Sequence, residues 1–549
     1  MTAEGQGREP GPVERLVAEA SAHEPLPLAE LEAELRTRGL LLEVVPATGP
    51  AEQHATLVTG LAEDSRAVGP GTLFVAVPGF HVDGHAYVGH AGAAGAAAAI
   101  VERPVAGAGV RQLVVGSSRQ ALARAAAWWS GSPSRELGVV GITGTDGKTT
   151  TSFLVVAALE AAGISSGLIG TVETKVGGQR ERHEAHVTTP GAPELQATLR
   201  AMVTAGNQAA VVETTSHALE LERVAGIAYD AAIFTNLTHE HLDLHGTFER
   251  YRAAKLRLFE RLAVNAENPR KLVNGWPWPK LAVINREDAA APLFDVAARE
   301  ARAAVMMYGT THGADVRAID VEEDARRLRV TYAAPSGRAS LDLRLAGRFN
   351  VFNALAVVAL GEGLGLDPAA IRAGLEGVTG VPGRMERIEQ GQPFGILVDY
   401  AHSPASLQGV LDLMGPVAAR SGGGLIVVFG SGGERDTTKR AVMGRIAGER
   451  CRLVIATDED PRGEDRHAII EEIVQGAEQA GRTRGRDVLA IADRRDAIAA
   501  AFERARPGDL VLLAGKGHEP TILYADRALP WDEATVARET LAAMGYRDA

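Results

Sequence analysis

Gly141-Ile142-Thr143-Gly144-Thr145-Asp146-Gly147-Lys148-Thr149-Thr150 lies between an apolar run, 136–143, and a stretch of helical composition, 151–162, closed by Gly163. The run reads as a short buried strand, and the glycine as a helix stop. A glycine-rich turn between a strand and a helix N-terminus aims backbone N–H groups at a ligand and favours negative charge there. Lys148 suits a β/γ-phosphate, and the Thr149 hydroxyl suits Mg²⁺. The common phosphate-loop spacing puts a glycine five residues before Gly147, where this chain has Ile142, so the turn is a shortened variant. A purely structural turn needs neither the lysine nor the paired threonines. Gly144, Thr145, Asp146, Gly147, Lys148, Thr149 and Thr150 are therefore the expected nucleotide-binding residues.

Outward from this turn the pattern alternates. Apolar strands are expected at 167–170, 209–212, 231–235 and 281–284, and helices at 193–205, 248–262, 353–364 and 368–375. Buried strands alternating with helices predict a mostly parallel, doubly wound sheet. Upstream, strands at 54–60, 72–77, 98–101 and 112–116 mix with helices at 86–95 and 118–129. Downstream of Pro382-Gly383-Arg384, strands at 395–398, 424–429, 452–455, 488–491 and 509–513 are separated by helical stretches. This last part reads as a smaller Rossmann-like domain. Its first strand lacks a Gly-x-Gly-x-x-Gly fingerprint, so the fold does not itself imply NAD. The expected fold is α/β with three domains, 1–136, 137–381 and 382–549, the central one carrying the phosphate loop. A chain of 549 residues is long enough for about three domains.

A net charge of −12 argues against a nucleic-acid partner. A single cysteine, Cys451, rules out an intrachain disulfide and a cysteine metal cluster. The Ala-Gly run at 91–99 is too short and too rich in small residues to insert into a membrane, and a cytoplasmic protein is expected.

Polar residues gather at the carboxyl ends of the expected strands, where an open α/β sheet places its ligands. Glu213 follows one strand and Asn236 another, the latter opening Asn236-Leu-Thr-His-Glu-His-Leu-Asp-Leu-His245. A carboxylate and an imidazole beside a phosphate loop suit a divalent cation near the γ-phosphate. His239-Glu240-His241 lacks the His-Glu-x-x-His register of a zinc hydrolase. Three further polar turns end strands of the last domain: Asp399-Tyr400-Ala401-His402, Gly430 to Asp436, and Gly515 to Glu519.

The ordered series resembles the Mur ligase family from about residue 57 onward. It comprises Asp64-Ser65-Arg66, Pro70 to Phe74, Asp83-Gly84, the loop 144–150, Thr188-Thr189-Pro190, Glu213 to Val224 and Phe234 to Phe259. It continues with Gly347 to Ala354, Pro382 to Glu386, Asp399 to Pro404, Gly430 to Arg440 and Gly515 to Glu519. The resemblance implies an ATP- and Mg²⁺-dependent amide ligase that adds a diamino acid to a UDP-N-acetylmuramoyl dipeptide, working as a monomer. It implies that a carboxylate is phosphorylated by ATP to an acyl phosphate, which the incoming amine then attacks.

Residue by residue, the resemblance casts Lys148, Glu213, His241 and Lys255 as catalytic, and Thr149, Glu213, His241 and Lys255 as the metal site. Lys255 matches a lysine that family members carry as a carbamate; its residue type alone reads as a surface lysine. Asn353, Arg384, Asp399 and His402 match ATP-side positions contributed across the domain boundary. Ser65 and Arg66 match uridine-nucleotide contacts; Thr188, Thr189, Thr215 and Arg223 match contacts to the muramoyl peptide. Arg435, Glu459, Asp460, Pro461, Arg462, Gly515 and Glu519 match the pocket for the added amino acid.

Arg462 suits the distal carboxylate of meso-diaminopimelate, and Glu519 its distal ammonium. Asp460 stands where the diaminopimelate-adding enzymes usually carry asparagine, and lysine or ornithine is the alternative substrate. A sister ligase adding D-alanyl-D-alanine, and a non-catalytic partner of cell-wall synthesis, are the other readings.

Overall fold

A computed structural model describes residues 10–46, 56–79, 82–182, 187–238, 242–263, 271–273, 275–323, 328–345 and 347–547. His239, Glu240 and His241 lie outside the described residues. The chain divides into two compact units, one of Met1–Glu181, Val187–Asp315 and Ala356–Ile371, the other of Arg182–His186, Val316–Leu355 and Arg372–Ala549.

Among the described residues the first unit holds two large sheets beside two small two-stranded ones. From the strand Gln179–Arg182 its main sheet runs on in the order Glu173–Val176, Ser166–Ile169, Ala209–Glu213, Gly138–Thr143, Ala231–Phe234, Leu281–Asn285, Ala304–Gly309. From Ser166–Ile169 to Ala304–Gly309 all neighbours are parallel, and Glu173–Val176 pairs antiparallel with Ser166–Ile169. The Gly138–Thr143, Ala209–Glu213 and Ala231–Phe234 strands are buried at every position. That is why they read as unbroken apolar runs rather than as alternating ones. Gly138–Thr143 comes earliest in the chain, yet lies between Ala209–Glu213 and Ala231–Phe234. Strand order therefore reverses at its carboxyl end, which is where such sheets open a binding crevice.

The second sheet of this unit orders Leu41–Val45, Gln112–Val115, Ala98–Val101, Thr72–Val75 and Gly60–Ala62, parallel except for its first strand. Separate apolar clusters cover its two faces: Leu31, Leu73, Ile100 and Leu113 in one, Phe74, Val88 and Val101 in the other.

The second unit carries a sheet ordered Glu386–Arg387, Gly395–Asp399, Leu510–Ala514, Leu425–Phe429, Leu453–Ala456 and Val488–Ala490, parallel apart from the short first strand. Helices Pro404–Arg420, Lys439–Arg450, Arg466–Gln479 and Arg494–Arg504 connect the parallel strands, as the sequence predicts. An antiparallel ribbon, Val316–Glu323, Leu328–Ala334 and Gly337–Leu343, belongs to the same unit. The architecture is α/β with three domains, two of whose sheets share the first unit. No helix among the described residues is long and apolar enough to cross a membrane.

Some elements depart from expectation. The helix after the phosphate turn begins at Lys148, not at 151, because Gly147 caps it at φ 82. The three threonines there are poor helix formers, and the glycine decides the start. Strand Ala304–Gly309 and helix Ala291–Glu300 carry too few β-branched residues or breakers to stand out in the sequence. Before the strand Leu281–Asn285 the chain forms a small hairpin, Leu272–Val273 with Trp276–Pro277.

Candidate functional site

The phosphate turn is fastened to the neighbouring strand end. Thr145 N donates to Asn236 O at 2.8 Å, Asp146 N to Asn236 Oδ1 at 2.9 Å, and Thr235 Oγ1 to Asp146 O at 2.6 Å. Gly144 sits at φ 151, and a Cβ there would lie 1.8 Å from Thr235 Oγ1. No side chain fits without moving the strand end. Gly144→Ala is therefore expected to lower stability by about 2 kcal/mol or more and to abolish the rise in melting temperature caused by ADP. Differential scanning fluorimetry with and without ADP checks this; a wild-type ADP shift would contradict it.

At the adjacent strand end, Glu213 is fully buried and its carboxylate is ringed by donors. Thr149 Oγ1 approaches Oε2 at 3.0 Å, Thr171 Oγ1 at 2.8 Å; Ser152 Oγ and Thr171 N reach Oε1, each at 3.1 Å. A buried carboxylate is tolerated when it is hydrogen-bonded like this. Hydroxyls are adaptable, because each can turn to accept instead of donate. Carboxylate and hydroxyl oxygens suit a hard cation, and Mg²⁺ is commonly held by one or two carboxylates plus substrate phosphates. The residues present thus fit Mg²⁺. Among the described residues no cluster of three or more His, Cys, Asp or Glu side chains could hold a metal by itself. Sequence reasoning missed Thr171 and Ser152; the signal available was Thr171's place just beyond a strand, behind Gly170.

Two lysines address the same turn. Lys148 Nζ donates to Gly144 O at 2.9 Å and Thr145 O at 2.8 Å. Lys255 is 1% exposed, donates to Gly144 O at 2.7 Å and lies 4.6 Å from the centre of the Tyr251 ring. The reading of Lys255 as a surface lysine is corrected. Its helix, Phe248–Glu260, buries Tyr251, Ala254, Lys255, Leu258 and Phe259, and that three-and-four spacing places the lysine on the apolar stripe.

Beside Glu213, a hydroxyl cluster extends the site. Thr189 Oγ1 donates to Glu213 O at 2.7 Å and lies 3.2 Å from Thr215 Oγ1; Thr171 Oγ1 and Thr188 Oγ1 lie 3.0 Å apart. Arg223 Nη1 donates to Thr189 O at 2.9 Å. Burial pulls the Arg223 pKa below its ordinary value, against the opposing field of Glu63. Thr188, Thr189, Thr215 and Arg223 are thus brought together. Ser65 and Arg66 stand apart, in a short turn after Gly60–Ala62, where Arg66 is exposed and paired with Asp64 at 2.6 Å.

In the second unit, Asp399 ends its strand buried, accepting Met385 N and Ala401 N, each at 2.9 Å. Burial raises its pKa, opposed by the nearby Arg384 guanidinium. Arg384 lies 5.0 Å from the Tyr400 ring, with His402 and His518 also beside that ring at 4.6 and 5.0 Å. Asn353 is elsewhere in this unit, donating to Asn350 Oδ1 at 2.8 Å.

The turn after Leu453–Ala456 carries Glu459, Asp460, Pro461 and Arg462. Glu459 Oε2 is buried with no hydrogen-bond partner, and a Cβ on Gly515 would lie 2.7 Å from it. Arg462 adopts φ 51 and donates its N–H to Leu523 O at 2.9 Å. Glu519 Oε1 accepts from Tyr400 OH at 3.1 Å. Arg435 is exposed. Asp460 is engaged by Lys516 and Leu523 N.

Three segments match known families: residues 57–129 the Mur ligase family catalytic domain, 142–361 the Mur ligase middle domain, and 383–517 the Mur ligase glutamate ligase domain. A UDP-N-acetylmuramyl-tripeptide synthetase of Roseiflexus sp. is 50% identical over 497 residues, 89% of this chain and 95% of that protein. A UDP-N-acetylmuramoyl-L-alanyl-D-glutamate--2,6-diaminopimelate ligase of Geobacter metallireducens is 43% identical over 486 residues, 86% of this chain and 92% of that protein. A solved structure of such a diaminopimelate ligase is 28% identical, with a TM-score of 0.66, covering 95% of this chain and 100% of that one.

Proposed function

The chain belongs to the Mur ligase family, and on that premise we propose that it adds meso-diaminopimelate to UDP-N-acetylmuramoyl-L-alanyl-D-glutamate, with ATP split to ADP and phosphate. The step belongs to peptidoglycan precursor synthesis, and its nucleotide substrates put the enzyme in the cytoplasm. The observation that carries this reading is the meeting of Lys148, Thr149, Glu213 and Lys255 around one turn at the point where strand order reverses.

A carboxylate oxygen of the D-glutamate residue attacks the γ-phosphorus of ATP, and ADP leaves. The amine lone pair then attacks the acyl carbon, phosphate departs with one former carboxylate oxygen, and the nitrogen loses a proton. Lys148 turns from its own loop carbonyls to the transferring phosphoryl group, adding charge stabilisation where charge develops. Thr149, Glu213, His241 and Lys255 would hold Mg²⁺, Lys255 as its carbamate, since an ammonium has the wrong charge for a ligand. Bound Mg²⁺ would offset the charge on the phosphate oxygens. Asn353, Arg384, Asp399 and His402 would contact ATP. Thr188, Thr189, Thr215 and Arg223 would orient the dipeptide, Ser65 and Arg66 its uridine nucleotide. Arg435, Arg462, Glu459 and Glu519 would receive the amino acid. The domain boundaries near 136 and 381 belong to this proposal.

Phosphate release tests it, with ATP, Mg²⁺ and the UDP-dipeptide, comparing meso-diaminopimelate, L-lysine and L-ornithine. The expected result is turnover that requires every substrate and is fastest with diaminopimelate. A larger kcat/KM for lysine or ornithine would overturn the choice of amino acid; no turnover with any would overturn the ligase reading.

A further inference from the structure

Lys516 is a fully buried cation that the reaction as described does not use. Its Nζ donates to Asp460 Oδ1 at 2.7 Å and to Glu519 Oε2 at 2.6 Å, and its side chain is 0% exposed. Each carboxylate has a second partner: Asp460 Oδ1 accepts Leu523 N at 3.0 Å, and Glu519 Oε1 accepts Tyr400 OH at 3.1 Å. Asp460 comes from the turn after Leu453–Ala456; Lys516 and Glu519 come from the turn after Leu510–Ala514. Lys516 therefore ties two strand-end turns that are not neighbours, since Leu425–Phe429 runs between their strands.

The charges do not cancel. Two carboxylates share one ammonium, and Glu459 adds a carboxylate with a buried, unpartnered oxygen beside Gly515. Removing one member of a buried ionic group strands the others at high cost, so the arrangement holds Glu519 in one orientation while leaving surplus negative charge. That surplus suits a cation arriving from outside.

We propose that Lys516 is a positioning residue, fixing Glu519 for the distal ammonium of the incoming diamino acid and holding Asp460 away from ligand contact, so that Asp460 does not set amino-acid choice. This rests on the ligase reading above. Lys516 and Leu523 N both donate to Oδ1, so an asparagine at 460 would keep an oxygen for them but remove one negative charge, reducing the charge offered to the ammonium.

The test uses the full chain and begins with wild-type turnover, whose absence would sink the ligase reading rather than this inference. The double variant D460N/K516M removes one charge of each sign together and avoids stranding a lone charge on Asp460. It is expected to raise KM for diaminopimelate at least tenfold, with KM for ATP and for the UDP-dipeptide within twofold of wild type. K516R, which keeps the cation, should restore KM for diaminopimelate to within threefold. D460N alone, with the Lys516–Glu519 pair intact, should raise that KM severalfold and leave the kcat/KM ratio of diaminopimelate to lysine within threefold. The D460N arm stands by itself should the double variant not fold. An unchanged diaminopimelate KM in a folded variant, or an equal rise in all three KM values, would overturn the positioning role. A tenfold change in the diaminopimelate-to-lysine ratio for D460N would show Asp460 facing the ligand and would overturn its assignment.

Discussion

Glu213→Gln is expected to lower kcat for phosphate release by about a thousandfold while the protein remains folded. The carboxylate is buried and gathers Thr149, Ser152 and Thr171. Glutamine keeps the shape and one oxygen, so the local packing survives. Its amide nitrogen, however, would face hydroxyls that now donate. Those hydroxyls can reverse, which limits the stability loss to about 1–3 kcal/mol. The catalytic loss is larger because a neutral amide is a poor ligand for Mg²⁺ and supplies no charge against it. Half-saturation by Mg²⁺ should rise together with the fall in kcat. A variant with kcat within tenfold of wild type, and unaltered Mg²⁺ dependence, would remove Glu213 from the chemistry.

Lys148→Met should lower kcat by about a hundred- to a thousandfold and weaken ADP binding far less. Nζ donates to the turn's own carbonyls, Gly144 O at 2.9 Å and Thr145 O at 2.8 Å. Methionine preserves most of the stem's packing. The lost charge matters most when the γ-phosphoryl group is in transit, whereas ADP also draws on backbone N–H groups of the turn. Lys148→Arg should not rescue fully, since a planar guanidinium does not replace a compact point charge. Single-turnover kinetics beside ADP titration separates the two effects. Equal losses in ADP affinity and in kcat would mean that Lys148 merely binds nucleotide.

The central site was largely legible because parallel strands announce themselves. Gly138–Thr143, Ala209–Glu213 and Ala231–Phe234 are buried on both faces, and their polar end residues stand out against apolar runs. Lys255 was harder. Its residue type suggests a surface, while its neighbours Tyr251, Leu258 and Phe259 place it on the buried stripe. Position on the helix outweighed residue type, since the Gly144 carbonyl gives the ammonium a partner. The Glu213 collar was harder to read for another reason: Ser152 reaches it from the helix that starts at Lys148, and Thr171 through the pairing of Ser166–Ile169 with Ala209–Glu213, a contact between segments far apart in the chain. Asp460 shows the same limit. Its charge looked directed at the ligand until Lys516, more than fifty residues on, proved to hold it.

The most direct measurement follows oxygen. The D-glutamate side-chain carboxylate of the UDP-dipeptide is labelled with ¹⁸O, the reaction is run with ATP, Mg²⁺ and meso-diaminopimelate, and the released phosphate is analysed by mass spectrometry. An acyl phosphate requires one labelled oxygen to leave in each phosphate formed from doubly labelled carboxylate. Phosphate free of label, with both labelled oxygens still on the dipeptide, would mean that ATP is merely hydrolysed and would contradict the ligase account.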